Sequence, residues 1–223
     1  MYLEIYSFVA QNRELFRFLY SVVIAFICLV IVLKTDRLFR ISSHQGIRYF
    51  RNAFFFYGLA FVFRYILGNP VYFNPMRIVF EFFMIMGGFC LFYSLLWKRF
   101  ETSKDVSSLF NSRIIIFYIL TIIIVVLDYL WKGYTFMYAS QMILFFFASI
   151  ISYQNYKSDE KKHKFLKLYF VVMVLNFIAW TLNFVFVTFL DWRLRWVANI
   201  YIINVFVFLV FLYGVVKLTK RRR

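Results

Sequence analysis

The chain has 223 residues, of which 64% are apolar and 25% aromatic, and its formal net charge is +16. A soluble globular domain is about 45–50% apolar, so 10 acidic residues cannot solvate the surface of this chain as a water-soluble protein. The chain has only 2 Cys, which excludes a disulfide scaffold. It has only 2 Pro and 7 Gly, which exclude a collagen-like or low-complexity chain.

Apolar stretches long enough to cross a bilayer recur seven times along the chain. Crossing a hydrocarbon core of roughly 30 Å takes about 20 residues. We therefore predict an all-α, polytopic seven-transmembrane-helix bundle that forms a single transmembrane domain over residues 1–223. The predicted spans are Leu15–Lys34, Tyr49–Leu67, Arg77–Trp97, Arg113–Trp131, Tyr134–Tyr153, Phe165–Leu190 and Trp196–Val216.

The segment before the first span, MYLEIYSFVAQNRE, lacks the basic region of a cleaved signal peptide. We predict that the first span is retained as a helix, with an uncleaved signal anchor as the alternative. Nineteen of the 26 Lys and Arg residues lie beside the span ends that would share one side of the membrane. Because such residues favour the cytoplasm, we predict a multi-pass cell-membrane protein with its N-terminus outside and its C-terminus in the cytoplasm. The charge is therefore mainly an orientation signal, and no nucleic-acid partner is expected.

The chain ends in KLTKRRR, a basic cluster directly beside the last span. Such a cluster attracts anionic lipid headgroups by roughly 1 kcal/mol per basic residue, or it docks a cytoplasmic protein. A plain stop-transfer tail is the alternative. The residues assigned to this lipid or partner contact are Lys217, Lys220, Arg221, Arg222 and Arg223.

The first three and last three spans have matching span and loop lengths. This match suggests a three-plus-one-plus-three internal repeat, a plan known among small transporters, which we keep as a hypothesis. Gly58, Gly87 and Gly88 lie within spans and are predicted to permit close helix packing, with a hinge as the alternative.

Ionisable residues inside the spans concentrate near the predicted outer ends, where their cost in lipid is lower. Arg77 and Glu81 are four residues apart, so they share a helix face and can pair. The cluster is either an outward-facing charged pocket or a set of interfacial salt bridges. This outer charged ring comprises Arg64, Arg77, Glu81, Asp128, Arg193 and Arg195.

Deeper in the spans lie uncharged polar residues. Asn176, Trp180 and Asn183 are spaced i, i+4, i+7, so they project from one stripe of the sixth span and are predicted to face inward. They serve either as interhelical hydrogen bonds or as a polar ligand site. The complete candidate ligand-binding set is Gln141, Asn176, Trp180, Asn183 and Asn204.

Several absences restrict the function. The last span contains no Lys, so a retinal Schiff base cannot form there, and the D-R-Y and N-P-x-x-Y patterns of animal G-protein-coupled receptors are missing. His44 and His163 lie in loops without metal-ligand spacing. No hydrolase or metalloprotease motif occurs. We therefore predict no catalytic residue, no metal, no cofactor and no enzymatic activity.

The segment HQGIRYFRNAFFFYGLAFVFRY, from His44 to Tyr65, resembles a loop-to-second-helix segment of uncharacterised archaeal multi-helix membrane proteins. Some of those proteins look like the membrane sensor halves of signalling kinases. The resemblance implies a sensing or scaffolding role. Since the sequence contains no soluble transmitter domain, the signal would pass to a separate partner.

The function predicted from the sequence is a non-enzymatic, receptor- or sensor-like membrane protein. It would bind a small molecule or lipid and pass the signal to a cytoplasmic partner. The alternatives are a small-molecule transporter of the three-plus-one-plus-three type and a lipid-binding assembly factor.

Overall fold

The computed structural model describes residues 13–42, 45–63, 73–100, 112–158, 164–189 and 194–221. These residues form seven helices, and every predicted span corresponds to one of them. The helices are α1 (Arg13–Ser42), α2 (Gln45–Phe61), α3 (Phe73–Phe100), α4 (Ser112–Trp131), α5 (Thr135–Lys157), α6 (Lys164–Phe189) and α7 (Leu194–Arg221).

Five of the helices are long and apolar enough to cross a membrane: α1, α3, α4, α5 and α6. The protein is therefore membrane-embedded, and the regular elements in its described part are all helices. The apolar parts of the other two helices are shorter. Helix α2 has 17 residues in all, and the described apolar part of α7 is Ile202–Lys217. The second predicted span ran to Leu67, and its last four residues lie outside the described part of the chain.

Helix α1 continues to Ser42, two turns beyond the predicted end of its span at Lys34. Local polar interactions stabilise this extension. The Thr35 hydroxyl donates to the Ile31 carbonyl at 2.6 Å, and Arg40 pairs with Asp36 at 3.1 Å. Asp36 also pairs with Arg51 of α2, so polar contacts take over where the apolar stretch ends.

Six helices pack in a closed ring in the order α1, α2, α3, α5, α6, α7 and back to α1. Helix α4 lies outside this ring, against α3 and α5. Contacts between aromatic side chains show how α2 and α3 run relative to each other. The Tyr49 and Tyr93 centroids lie 4.6 Å apart and the Phe61 and Phe80 centroids 6.0 Å apart, so α2 and α3 are antiparallel.

Aromatic rings fill the space between α2 and α7. The Phe54 ring lies 4.9 Å from Phe211 and 6.0 Å from Phe208, measured between centroids. Such edge-to-face pairs contribute about 0.5–1.5 kcal/mol each beyond the area they bury. Some of the phenylalanines therefore fill the interior of the helix ring, while others, such as Phe26 and Phe55, are exposed on the outside of the bundle.

Candidate functional site

Arg77 is the centre of a charged cluster at one end of the bundle, which we call the Arg77 end. Its Nε donates to Glu81 Oε1 at 2.8 Å, which confirms the predicted pair. Its Nη2 donates to the carbonyl of Gly133 and, at 3.4 Å, to that of Asp128. The guanidinium carbon also lies 4.2 Å from the centroid of the Tyr134 ring. Arg77 thus ties α3 to the turn between α4 and α5.

Asp128 satisfies the beginning of α5. Its Oδ1 accepts the backbone N–H of Phe136 at 2.9 Å, and its Oδ2 accepts that of Met137 at 2.6 Å. The first N–H groups of a helix have no partner within the helix and carry partial positive charge, so a carboxylate stabilises them. Asp128 therefore acts as a helix cap supplied by the preceding helix.

This packing favours the salt-bridge interpretation of the outer charged ring over an open pocket. Glu81 is 1% exposed and Asp128 is fully buried. Glu81 pairs with Arg77, and Asp128 accepts from backbone N–H groups. Arg64 and Arg193 lie outside the described residues. Arg195 belongs to α7, but its side chain lies outside the described part.

The second polar region surrounds Gly87 and Gly88 in the middle of α3. A Cβ atom on Gly87 would lie 2.9 Å from the Tyr57 ring of α2, and a Cβ on Gly88 would overlap the Gln141 amide of α5. Three helices therefore approach closely where α3 has no side chain, which supports the packing role predicted for these glycines.

Two side chains against these glycines have polar atoms without partners. Gln141 is fully buried, and within the described residues neither its Oε1 nor its Nε2 has a hydrogen-bond partner. The buried Tyr57 hydroxyl likewise has none there. Leaving a polar group unpaired in an apolar interior costs several kcal/mol on hydrocarbon reference scales. This region therefore carries unused hydrogen-bonding capacity.

The predicted polar stripe of α6 faces the interior. Asn176 and Asn183 are 8% and 5% exposed. Their Nδ2 atoms donate to the carbonyls of Val172 at 2.9 Å and Ala179 at 2.7 Å, four residues earlier in the same helix. These bonds differ from the interhelical bonds considered for them. An asparagine side chain in a helix can donate its N–H to a carbonyl one turn earlier, without contacting a neighbouring helix.

Trp180 sets the depth of this stripe relative to α5. Its ring lies 5.8 Å from Tyr138 and 6.4 Å from Phe145, and Gln141 lies between those two residues along α5. Gln141 is thus level with the segment of α6 between its two buried asparagines. We use the term polar layer for the group formed by Tyr57, Gln141, Asn176 and Asn183.

Asn204 and the basic tail complete the predicted residues. Asn204 is half-buried and lies one turn before Phe208, whose ring is 5.9 Å from Tyr57. Lys217 is exposed and its Nζ lies 3.3 Å from the Tyr213 hydroxyl. The Lys220 and Arg221 side chains lie outside the described part, as do Arg222 and Arg223 entirely.

Sequence reasoning missed Tyr57 and the contact of Gln141 with α3. Tyr57 ends a run of three phenylalanines in NAFFFYGLA, and its hydroxyl is the only chemical difference from that run. Gln141 was grouped with α6 and α7, whereas it also packs against Gly88 of α3. The signal for this contact is the Gly87–Gly88 pair, because two adjacent glycines leave room for large partners.

An apolar groove lies outside the ring, between α3 and α4. Its volume is about 280 Å³. It is lined by Ile78, Val79, Phe82, Phe83, Ile122, Val125 and Val126.

The fold and the site together define a membrane-embedded protein with a polar layer inside the ring formed by its described helices. The chain is similar to an uncharacterised protein of Archaeoglobus fulgidus, at 25% identity over an alignment that covers 89% of this chain and 90% of that protein. No protein-family model matches the chain, and no solved structure matches it significantly.

Proposed function

We propose that this protein is a non-enzymatic, receptor- or sensor-like seven-helix membrane protein that binds a small molecule at the polar layer. Binding would pass a signal to a cytoplasmic partner. In this proposal all seven helices cross the cell membrane, with the N-terminus outside and the basic C-terminus facing anionic lipids or the partner.

The observation that carries the proposal is Gln141. An amide that is fully buried, with both polar atoms unpaired among the described residues, is costly to the free protein. A bound molecule with its own donor and acceptor would remove that cost. The Tyr57 hydroxyl, on the other side of the Gly87–Gly88 pair, supports the same interpretation.

Ligand-induced stabilisation tests this proposal even while the ligand is unidentified. The purified protein in lipid nanodiscs is heated with and without fractions of a membrane extract from its own host. A ligand at 100 times its Kd stabilises the folded state by about 2.7 kcal/mol, which corresponds to a rise in the unfolding temperature of about 5–10 °C. We expect one fraction to produce this rise in the wild type.

The variants Gln141→Leu, Asn176→Leu and Asn183→Leu should insert and fold but lose the shift. Gln154→Leu is the matched control, since it makes the same change at an exposed position of α5 and should keep the shift. The proposal fails if no fraction shifts the wild type, or if the three variants respond as the wild type does. Loss of folding in the asparagine variants would favour a purely structural role.

A carrier of the three-plus-one-plus-three type is the second candidate, and the helix neighbours favour it. The ring divides into α1–α2–α3 and α5–α6–α7, which meet through α3 with α5 and through α7 with α1. A rotation that exchanges the two triplets would exchange these two interfaces, and α4 would be the connecting helix. Internal repeats of this kind are common in transporters.

Water access to the polar layer separates the two candidates. A Gln141→Cys variant, in a background with the buried thiols Cys28 and Cys90 replaced by Ala, is exposed to a membrane-impermeant maleimide from each side of sealed vesicles. A carrier exposes the position to each side of the membrane in turn, so labelling from both sides would support transport. Labelling restricted to one side favours the receptor.

A lipid-binding assembly factor remains the third candidate. The apolar groove between α3 and α4 supports it, because its described lining is entirely hydrocarbon or aromatic and therefore suits an acyl chain. Co-purified lipid that is lost in Val125→Phe, which narrows the groove, and kept in Ile119→Phe on the exposed face of α4, would support this function.

A further inference from the structure

The described charged side chains lie toward the two ends of the bundle, and several of them form ion pairs there. Glu81 and Arg77 form an ion pair at one end, while Asp36 pairs with Arg51 and Arg40 at the other. The four members of the polar layer between these ends carry amide or phenol groups, which are uncharged at neutral pH. No described residue of the layer offers a counter-ion.

This distribution restricts what the layer can bind. An ion placed there would lose its hydration without gaining an opposite charge, which is the most costly situation for a group inside a membrane protein. A neutral molecule loses far less. It also gains from what the layer offers, since an amide is both donor and acceptor and a phenol is both as well.

Aromatic surroundings add a second restriction. The Tyr57 ring lies 5.9 Å from Phe208 and 6.1 Å from Phe54, and the Trp180 ring stacks at 6.4 Å on Phe145. Aromatic side chains of this kind favour an apolar body in a bound molecule. A strongly hydrophilic molecule such as a sugar would leave many of its hydroxyls unpaired against them.

We propose that the polar layer takes an uncharged, membrane-soluble molecule whose apolar body bears a hydroxyl, carbonyl or amide group, which Gln141 and Tyr57 recognise by hydrogen bonding. This inference rests on the proposed binding function and adds the chemical class of the ligand. It excludes inorganic ions, carboxylates and amines as ligands of this layer.

Photolabelling with three matched probes tests the inference on the full-length protein in nanodiscs. The probes are small alkyl diazirines that share one carbon skeleton and carry an alcohol, a carboxylic acid or an amine. Labelled positions are located by peptide mass spectrometry. We expect the alcohol to label the α5 segment around Gln141 saturably, at least about tenfold more than the charged probes do.

Variants identify the recognising groups. Removing one hydrogen-bonding group from a buried site costs about 1–3 kcal/mol, so Gln141→Leu and Tyr57→Phe should each lower labelling of that segment about fivefold or more. Gln154→Leu should leave it unchanged. Competition on the wild type gives the same answer without variants: butanol should suppress the labelling, and butyrate at the same concentration should not.

The outcomes separate the ligand class from the binding function. Saturable labelling of this segment by the acid or the amine, or competition by butyrate, overturns the uncharged class while leaving a binding site. Labelling that Gln141→Leu and Tyr57→Phe both leave unchanged overturns the recognising groups. Absence of saturable labelling by all three probes overturns the inference and the proposed binding function together.

Discussion

The Arg77 cluster and the polar layer treat buried polar groups in opposite ways. At the Arg77 end, a guanidinium, two carboxylates and the first N–H groups of α5 satisfy one another. In the polar layer, Gln141 and Tyr57 are as deeply buried, yet their polar atoms have no partners within the described residues. Both regions contact α3: Arg77 and Glu81 belong to it, and Tyr57 and Gln141 pack against its Gly87 and Gly88.

The difference separates polar groups that stabilise the fold from polar groups that remain able to bind a ligand. Polar groups that are fully paired hold elements together, and breaking one pair leaves another group buried and unpaired. Polar groups that are buried and unpaired lower the stability of the ligand-free protein and are available to bind a ligand. Substitutions in the two regions should therefore change stability in different directions.

Removal of Arg77 should have the largest effect. Arg77→Ala leaves Glu81 buried at 1% exposure without its ion-pair partner, and breaking a buried pair in this way costs about 3–5 kcal/mol. Denaturant titration in mixed micelles should show this loss in the free energy of unfolding. Lys132→Ala, in the neighbouring turn and exposed, is the control and should change it by less than about 0.5 kcal/mol. Equal effects of the two substitutions would contradict a stabilising role for the cluster.

A methyl group on Gly88 should have the next largest effect. Gly88→Ala places a Cβ on the Gln141 amide, and overpacking of this kind costs about 1–3 kcal/mol. The second substitution Gln141→Ala should recover most of that loss by making room. Gly214→Ala is the control, because its Cβ would meet only the Leu168 side chain at 3.1 Å, which can shift. No recovery in the double variant would show that the close contact lies elsewhere.

Loss of the helix cap should have a smaller, local effect. Asp128→Ala removes the acceptors of the Phe136 and Met137 N–H groups, and losing a cap costs about 0.5–2 kcal/mol. Hydrogen exchange at those two amides should accelerate. Ser149→Ala, whose hydroxyl donates within α5 at 2.8 Å, should leave their exchange unchanged. Unchanged exchange in Asp128→Ala would mean that the start of α5 is held by other contacts.

The sequence predicted the helices well because their signal is local. Span length and hydropathy identified seven helical segments, and the spacing of Arg77 and Glu81 identified their pair. The contacts of Asp128 and Gln141 depend on which helices become neighbours, and the pattern of apolar residues within a single helix does not encode this. The sequence did not single out Tyr57 for the same reason, because Gly87, against which the Tyr57 ring packs, lies on another helix.

The free energy of unfolding of Gln141→Leu and Tyr57→Phe tests the central claim most directly. If the polar layer is free to bind a ligand, both substitutions remove an unpaired buried group, and the ligand-free protein should become more stable by about 1 kcal/mol. Gln154→Leu should leave it unchanged. A loss of stability in both variants, comparable to that of Arg77→Ala, would mean that the layer holds the helices together and would contradict the account.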